Sequence, residues 1–223
     1  MSECWTYRLS SFLLFSPQTY YRLIELYNRA VWPGHLAAVA AGLVVLVCLL
    51  RPSPGRSRIA AGILASGWLW VAVAFHARRY ATINWAAVYF AWAFGLEAAL
   101  LFWLGVVRGR LAPDVRQNPV RRAGFCISSF SLVLYPFIAL ILGRGWRAAE
   151  IFGLAPDPTA AGTLGAISLA AGRARWELFV IPAAWCAVTG AFLKAMEAPD
   201  FWVAPLAAAA AVVLSARKRR RDG

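Results

Sequence analysis

The side chains in this sequence best suited to hold a ligand are His35, His76, Asn84, Asp157, Thr159 and Asp200, with Tyr27, Asn28 and Glu150 in the same polar stretches. Imidazoles together with carboxylates offer the mixed nitrogen and oxygen donors that a divalent metal, or a small polar or cationic ligand, would use. No two of them sit at i, i+4 on one helix, so their convergence depends on how helices pack, and neither a metal nor a cofactor is specified. A cheaper reading stands beside this one. Asp157 before Pro158, Asp200 before Phe201, Asn84, and Asn118 before Pro119 are all well placed as helix N-caps. The serines at 128, 129 and 131 lie in an apolar run with no histidine close by, so no nucleophilic triad can be named. Enzymatic activity is left open, a non-enzymatic role being the expectation.

Glu97 is the sharpest single residue. It falls near the middle of an apolar run, where an acidic side chain costs roughly 2.5 to 3.5 kcal/mol on insertion scales. Its expected state is protonated and hydrogen-bonded within a bundle, with Ser66, Ser131 or Thr189 as partners at similar depth. A buried acid of this kind serves either as a proton or cation site or as a clamp between helices.

The elements that position these residues follow from composition. Of 223 residues 61% are hydrophobic and 15% charged, which excludes both an ordinary soluble domain and a disordered chain. Seven apolar stretches, at 33–50, 59–75, 84–107, 124–142, 158–172, 177–195 and 201–215, predict an all-α polytopic membrane bundle of about seven transmembrane helices. The fifth reaches only about 22 Å at 1.5 Å per residue, so its N-terminus would start below the outer surface, with Asp157, Thr159 and His76 placed to hold a cation or neutral polar group. Its small residues, Ala161, Gly162, Gly165 and Ala166, equally suit close packing on a neighbour.

Ahead of these stretches, Ser16 as cap, Pro17 at the first helical position and Tyr20, Leu23, Ile24, Tyr27 and Val31 at helical spacing predict an interfacial amphipathic helix. The expected organisation is an N-terminal arm over 1–32, a bundle over 33–215 and a polybasic tail over 216–223. The net charge of +13 comes mostly from arginines in the gaps between apolar runs, a topology signal that argues against a nucleic-acid partner. With seven spans, the larger share of Lys and Arg falls on the face bearing the tail, which predicts an outer N-terminus and a cytoplasmic C-terminus. Arg217, Lys218, Arg219, Arg220 and Arg221 would then meet anionic headgroups.

Most of the eleven tryptophans, Trp5 and Trp202 among them, fall near span ends as an aromatic belt. Cys4, Cys48, Cys126 and Cys186 have no metal-site spacing, and no internal repeat is visible, which lowers the expectation of a carrier.

Phe15-Ser16-Pro17, Tyr27-Asn28, Trp32-Pro33, His76, Ile83-Asn84, Tyr135-Pro136, Phe152-Gly153, Pro156-Asp157-Pro158-Thr159, Ile181-Pro182 with Trp185, and Asp200 occur in an order that resembles a family of bacterial integral membrane proteins of unknown function. The resemblance runs over roughly residues 15 to 213. It implies a protein of the bacterial cytoplasmic membrane and supplies no activity. The expected function is binding, or transport, of a small polar or cationic ligand at an outer-face pocket. The alternative is a non-catalytic accessory subunit docked on a membrane protein partner.

Overall fold

A computed structural model describes residues 15–113, 119–172 and 175–221, with side chains of the last helix to 217. Cys4, Trp5 and Asn118, and the side chains of the basic tail beyond Arg217, lie outside the described residues. Helices α1 (Pro17–Val31), α2 (Gly34–Leu50), α3 (Pro54–Trp70), α4 (Ala87–Leu101), α5 (Pro119–Ser129), α6 (Pro136–Ile141), α7 (Pro156–Ser168), α8 (Trp176–Ala195) and α9 (Val203–Arg221) follow one another, without a strand among the described residues. Helices α3, α4 and α5 each run on into a π-helical turn, at Val71–Ala77, Phe102–Val107 and Phe130–Leu134, a rare form that re-aims side chains and recurs at functional sites.

Helix α1 has the limits its sequence dictates: Ser16 accepts from the Thr19 amide at 3.2 Å, and Pro17 opens the helix. Its apolar face, Tyr20, Leu23, Ile24 and Tyr27, is buried against the protein, so the stripe expected to enter the interface is occupied by tertiary packing.

By length and composition, three helical runs among the described residues can cross a membrane: Pro54–Thr82, Ala87–Val107 and Trp176–Ala195. A fourth is added if α1 and α2, which meet at 90°, count as one broken span. Of the seven stretches expected to cross, three or four meet that test. The physical reasons are local. Helix α5 opens with Arg121 and Arg122, α7 has only 13 residues, and α9 ends in basic residues.

Two ends of the molecule can be told apart. At one end α1, residues 80–84, residues 143–155 and residues 198–202 meet. There the Tyr20 and Tyr80 rings lie 6.0 Å apart, the Tyr27 hydroxyl donates to the Leu154 carbonyl at 3.0 Å, and Arg144 pairs with Asp200. At the other end Arg121 reaches the Leu50 carbonyl at 3.4 Å and the Ala171 amide donates to the Ala112 carbonyl at 2.7 Å.

Helix α7 lies at the centre, every one of its residues buried, packed by α3, α5, α8 and α9. Its small residues permit this. A Cβ on Gly165 would sit 2.6 Å from the Ser128 amide nitrogen and 2.8 Å from the Gly124 carbonyl, so α5 and α7 cross backbone to backbone. Gly165→Ala is therefore expected to cost about 1 to 3 kcal/mol of stability, the range for overpacking. Gly95→Ala, with nothing within 4 Å of the new methyl, serves as the control in the same thermal melt and should leave the midpoint unchanged or raised.

Candidate functional site

Asp157 stands in the first turn of α7, and its carboxylate is the best-satisfied acid of the described chain. Trp185 Nε1 donates to Oδ1 at 2.7 Å and the Thr189 hydroxyl donates to Oδ2 at 2.9 Å, both from α8, and Tyr135 is a further hydrogen-bonding neighbour. The capping role expected for Asp157 is not what the structure shows. The cap position belongs to Ala155, which offers no side chain, and the Asp157 carboxylate turns sideways to α8 instead. Asp200 likewise ion-pairs with Arg144 and leaves only its backbone carbonyl to α9, accepting from the Val203 amide at 3.0 Å. Asn84 does not cap α4 either: the cap position is Ala86, and Asn84 Oδ1 accepts from the Ala86 amide at 3.0 Å in a turn ahead of the helix.

Glu150 completes a cluster with Asp157, Asp200 and Arg144. Burial, reinforced by the negative charge of Asp157, pushes the Glu150 carboxyl well above the usual glutamate range, while Arg144 pulls the other way. Glu150 Oε2 and Asp200 Oδ1 are buried without a hydrogen-bond partner among the described residues. Arg144, paired with Asp200 and near enough to Glu150 for its charge to act there, also lies over the Tyr21 ring at 4.8 Å.

His76 approaches this cluster through one residue. The Trp185 ring that donates to Asp157 has its centroid 4.9 Å from the imidazole, and Phe94, Phe75, Phe90 and Tyr80 close the cage at 4.5, 5.3, 5.9 and 6.0 Å. Both ring nitrogens are buried and have no partner among the described residues. The π-helical turn Val71–Ala77 carries His76 into this position.

Thr159 is spent on backbone, accepting from the Gly153 amide at 2.8 Å and donating to the Ala155 carbonyl at 2.6 Å. His35 lies elsewhere, in a cleft beside Trp32 and Trp146. The six residues proposed from sequence thus separate. Asp157 and Asp200 share one cluster that His76 adjoins, whereas Asn84, Thr159 and His35 have other surroundings. No group of three His, Cys, Asp or Glu side chains among the described residues is arranged to hold a metal ion.

Sequence reasoning passed over Arg144, one basic residue in a Gly-Arg-Gly turn, and gave Trp185 and Tyr135 no role. The only signal pointing to the last two was their place among the residues of the family resemblance. For Glu97, none of the expected partners serves. Ser66 donates to the Gly62 carbonyl at 2.9 Å, Thr189 to Asp157, and Ser131 Oγ is itself unpartnered, leaving both Glu97 oxygens buried without a partner among the described residues.

A family of unknown function (DUF6064) has a profile that matches residues 17–223, and the chain belongs to that family. No curated protein and no solved structure matches the chain.

Two substitutions test this geometry in thermal melts. Trp185→Phe keeps the ring against His76 and removes the donor to Asp157, which is expected to cost about 1 to 3 kcal/mol. Glu97→Met replaces an unpartnered carboxyl by an apolar side chain of similar size and is expected to leave the melting temperature unchanged or raise it. A clear loss would reveal a clamp.

Proposed function

Taking membership of this family as the premise, we propose that the protein is a polytopic integral membrane protein whose Glu150, Asp157 and Asp200 cluster takes up a proton from the outer side. The supporting observation is that Glu150 Oε2 and Asp200 Oδ1 are buried without a partner among the described residues, although Arg144 pairs with Asp200 and the charge of Asp157 bears on Glu150. Buried charge of one sign favours neutralisation by a bound positive species. Transport is the extension of this reading, in which His76 and Glu97, both buried without a partner among the described residues, would be further ionisable groups.

The membrane placement proposed with it has the chain crossing seven times, N-terminus outside and C-terminus in the cytoplasm of a bacterium. The grouping of residues 143–155 with α1, and of residue 50 with residue 121, supports that alternation. The runs too short or too charged to cross alone would then be sheltered by neighbours, as α7 is.

The test is proton titration of the purified protein in detergent between about pH 5 and pH 9, the window above ordinary carboxylates. Wild type is expected to release at least one proton there that Glu150→Gln does not. Superimposable titrations would refute the reading and leave the accessory-subunit role. Stability gives the same sign. A carboxyl whose folded value is raised contributes most below the ordinary glutamate range and loses that contribution as pH rises through the raised value. The melting temperature should therefore fall with rising pH in wild type, and fall less in Glu150→Gln.

A further inference from the structure

A second concavity at the same end is built on the opposite principle. Helix α1, the start of α2 and the turn at Trp146–Ala148 enclose a cleft of about 350 Å³ with mostly apolar walls, within the range of small-ligand sites. Asn28 holds it together: its side-chain amide donates to the Arg147 carbonyl at 2.8 Å and the Ala149 carbonyl at 2.9 Å, tying the turn to α1. That tie brings Arg147 into the same cleft as Arg29.

Neither guanidinium has an ion pair among the described residues, because the acid lining the cleft, Glu25, is paired with Arg22 at 3.0 Å. The cleft therefore carries two uncompensated positive charges. His35 Nδ1 is buried there without a partner among the described residues. Trp32 and Trp146 flank the opening, 64% and 62% exposed. From the cleft, α2 presents Leu36, Val39, Leu43, Val47 and Leu50 as an exposed apolar stripe at helical spacing, running toward the other end of the molecule.

Positive charge, an aromatic rim and an apolar track, in that order along one line, match the parts of one molecule. We propose that the cleft binds an anionic phospholipid. Its phosphate lies between Arg29 and Arg147, its headgroup packs on Trp32 and Trp146 within reach of a hydrogen bond from His35, and an acyl chain follows the α2 stripe. The apolar walls and the track favour a lipid over free phosphate, which would use the charges alone. This inference rests on the membrane placement proposed above and not on the carboxylate cluster.

The test is native mass spectrometry of the full chain in mild detergent, supplied with dioleoyl phosphatidylglycerol, dioleoyl phosphatidylcholine or inorganic phosphate. One phosphatidylglycerol per chain is expected, retained at least about tenfold better than phosphatidylcholine, with binding weakened more than about tenfold in Arg29→Gln/Arg147→Gln. Arg51→Gln/Arg56→Gln, at the other end, should bind as wild type does. Both cleft arginines are exposed, and each single substitution is expected to give an intermediate loss in a protein that melts normally. Equal retention of the two lipids, or full binding by the double variant, overturns the site. Displacement by millimolar inorganic phosphate overturns the lipid as its ligand. A chain recovered in the aqueous phase overturns the membrane placement and the site together, whereas a detergent-borne chain without lipid preference overturns the site alone.

Discussion

No face of α7 reaches the surface, and the rest of the molecule is arranged around that fact. A helix enclosed on every side must have small residues where neighbours cross and must satisfy every polar group it carries. Gly162 and Gly165 meet the first demand against Leu132 and Ser128. The second is met by Thr163, which accepts from Trp68 Nε1 at 2.8 Å and donates to the Thr159 carbonyl at 2.8 Å, and by the Asp157 clamp from α8. The Trp68 and Trp185 links tie α7 to α3 and α8, so the polar groups of the central rod also orient rods around it.

That constraint explains why the acids collect where they do. The first turn of α7 places Asp157 beneath the loop that carries Arg144 and Glu150, and the Arg144–Asp200 pair draws the start of α9 to the same place. Trp185 has two duties there, as hydrogen-bond donor to Asp157 and as one wall of the cage around His76. A change at the carboxylate is thus one side chain away from an unpartnered imidazole. The cleft of Arg29 and Arg147 lies at the same end with the opposite charge, separated from the acids by the turn that Asn28 holds.

What could be read from sequence was local. The Ser16 cap, Pro17 and the periodic face of α1 are contained within a few turns, and they set that helix as expected. The small residues of α7 foretold a close crossing, though not with which helix. The polar residues failed as caps because their partners are distant in sequence: Trp185 and Thr189 lie 28 and 32 residues from Asp157, and Asp200 lies 56 from Arg144. A rule that looks three residues along the chain sees an aspartate before a proline and finds a cap. Glu97 failed for a related reason, since depth along a helix says nothing about which face of a neighbour is turned toward it. The count of spans was not legible from composition, which does not separate a helix that faces lipid from one, like α7, that faces only protein.

Whether the Glu150, Asp157 and Asp200 cluster holds an exchangeable proton is read by infrared difference spectroscopy of the protein reconstituted in lipid, taken between about pH 5 and pH 9. The expected result is a protonated carboxylic C=O band that weakens as pH rises and is smaller in Glu150→Gln, the part that Glu97 adds being removed separately in Glu97→Met. A spectrum with no carboxylic band in that interval, or one unchanged by Glu150→Gln, would contradict it.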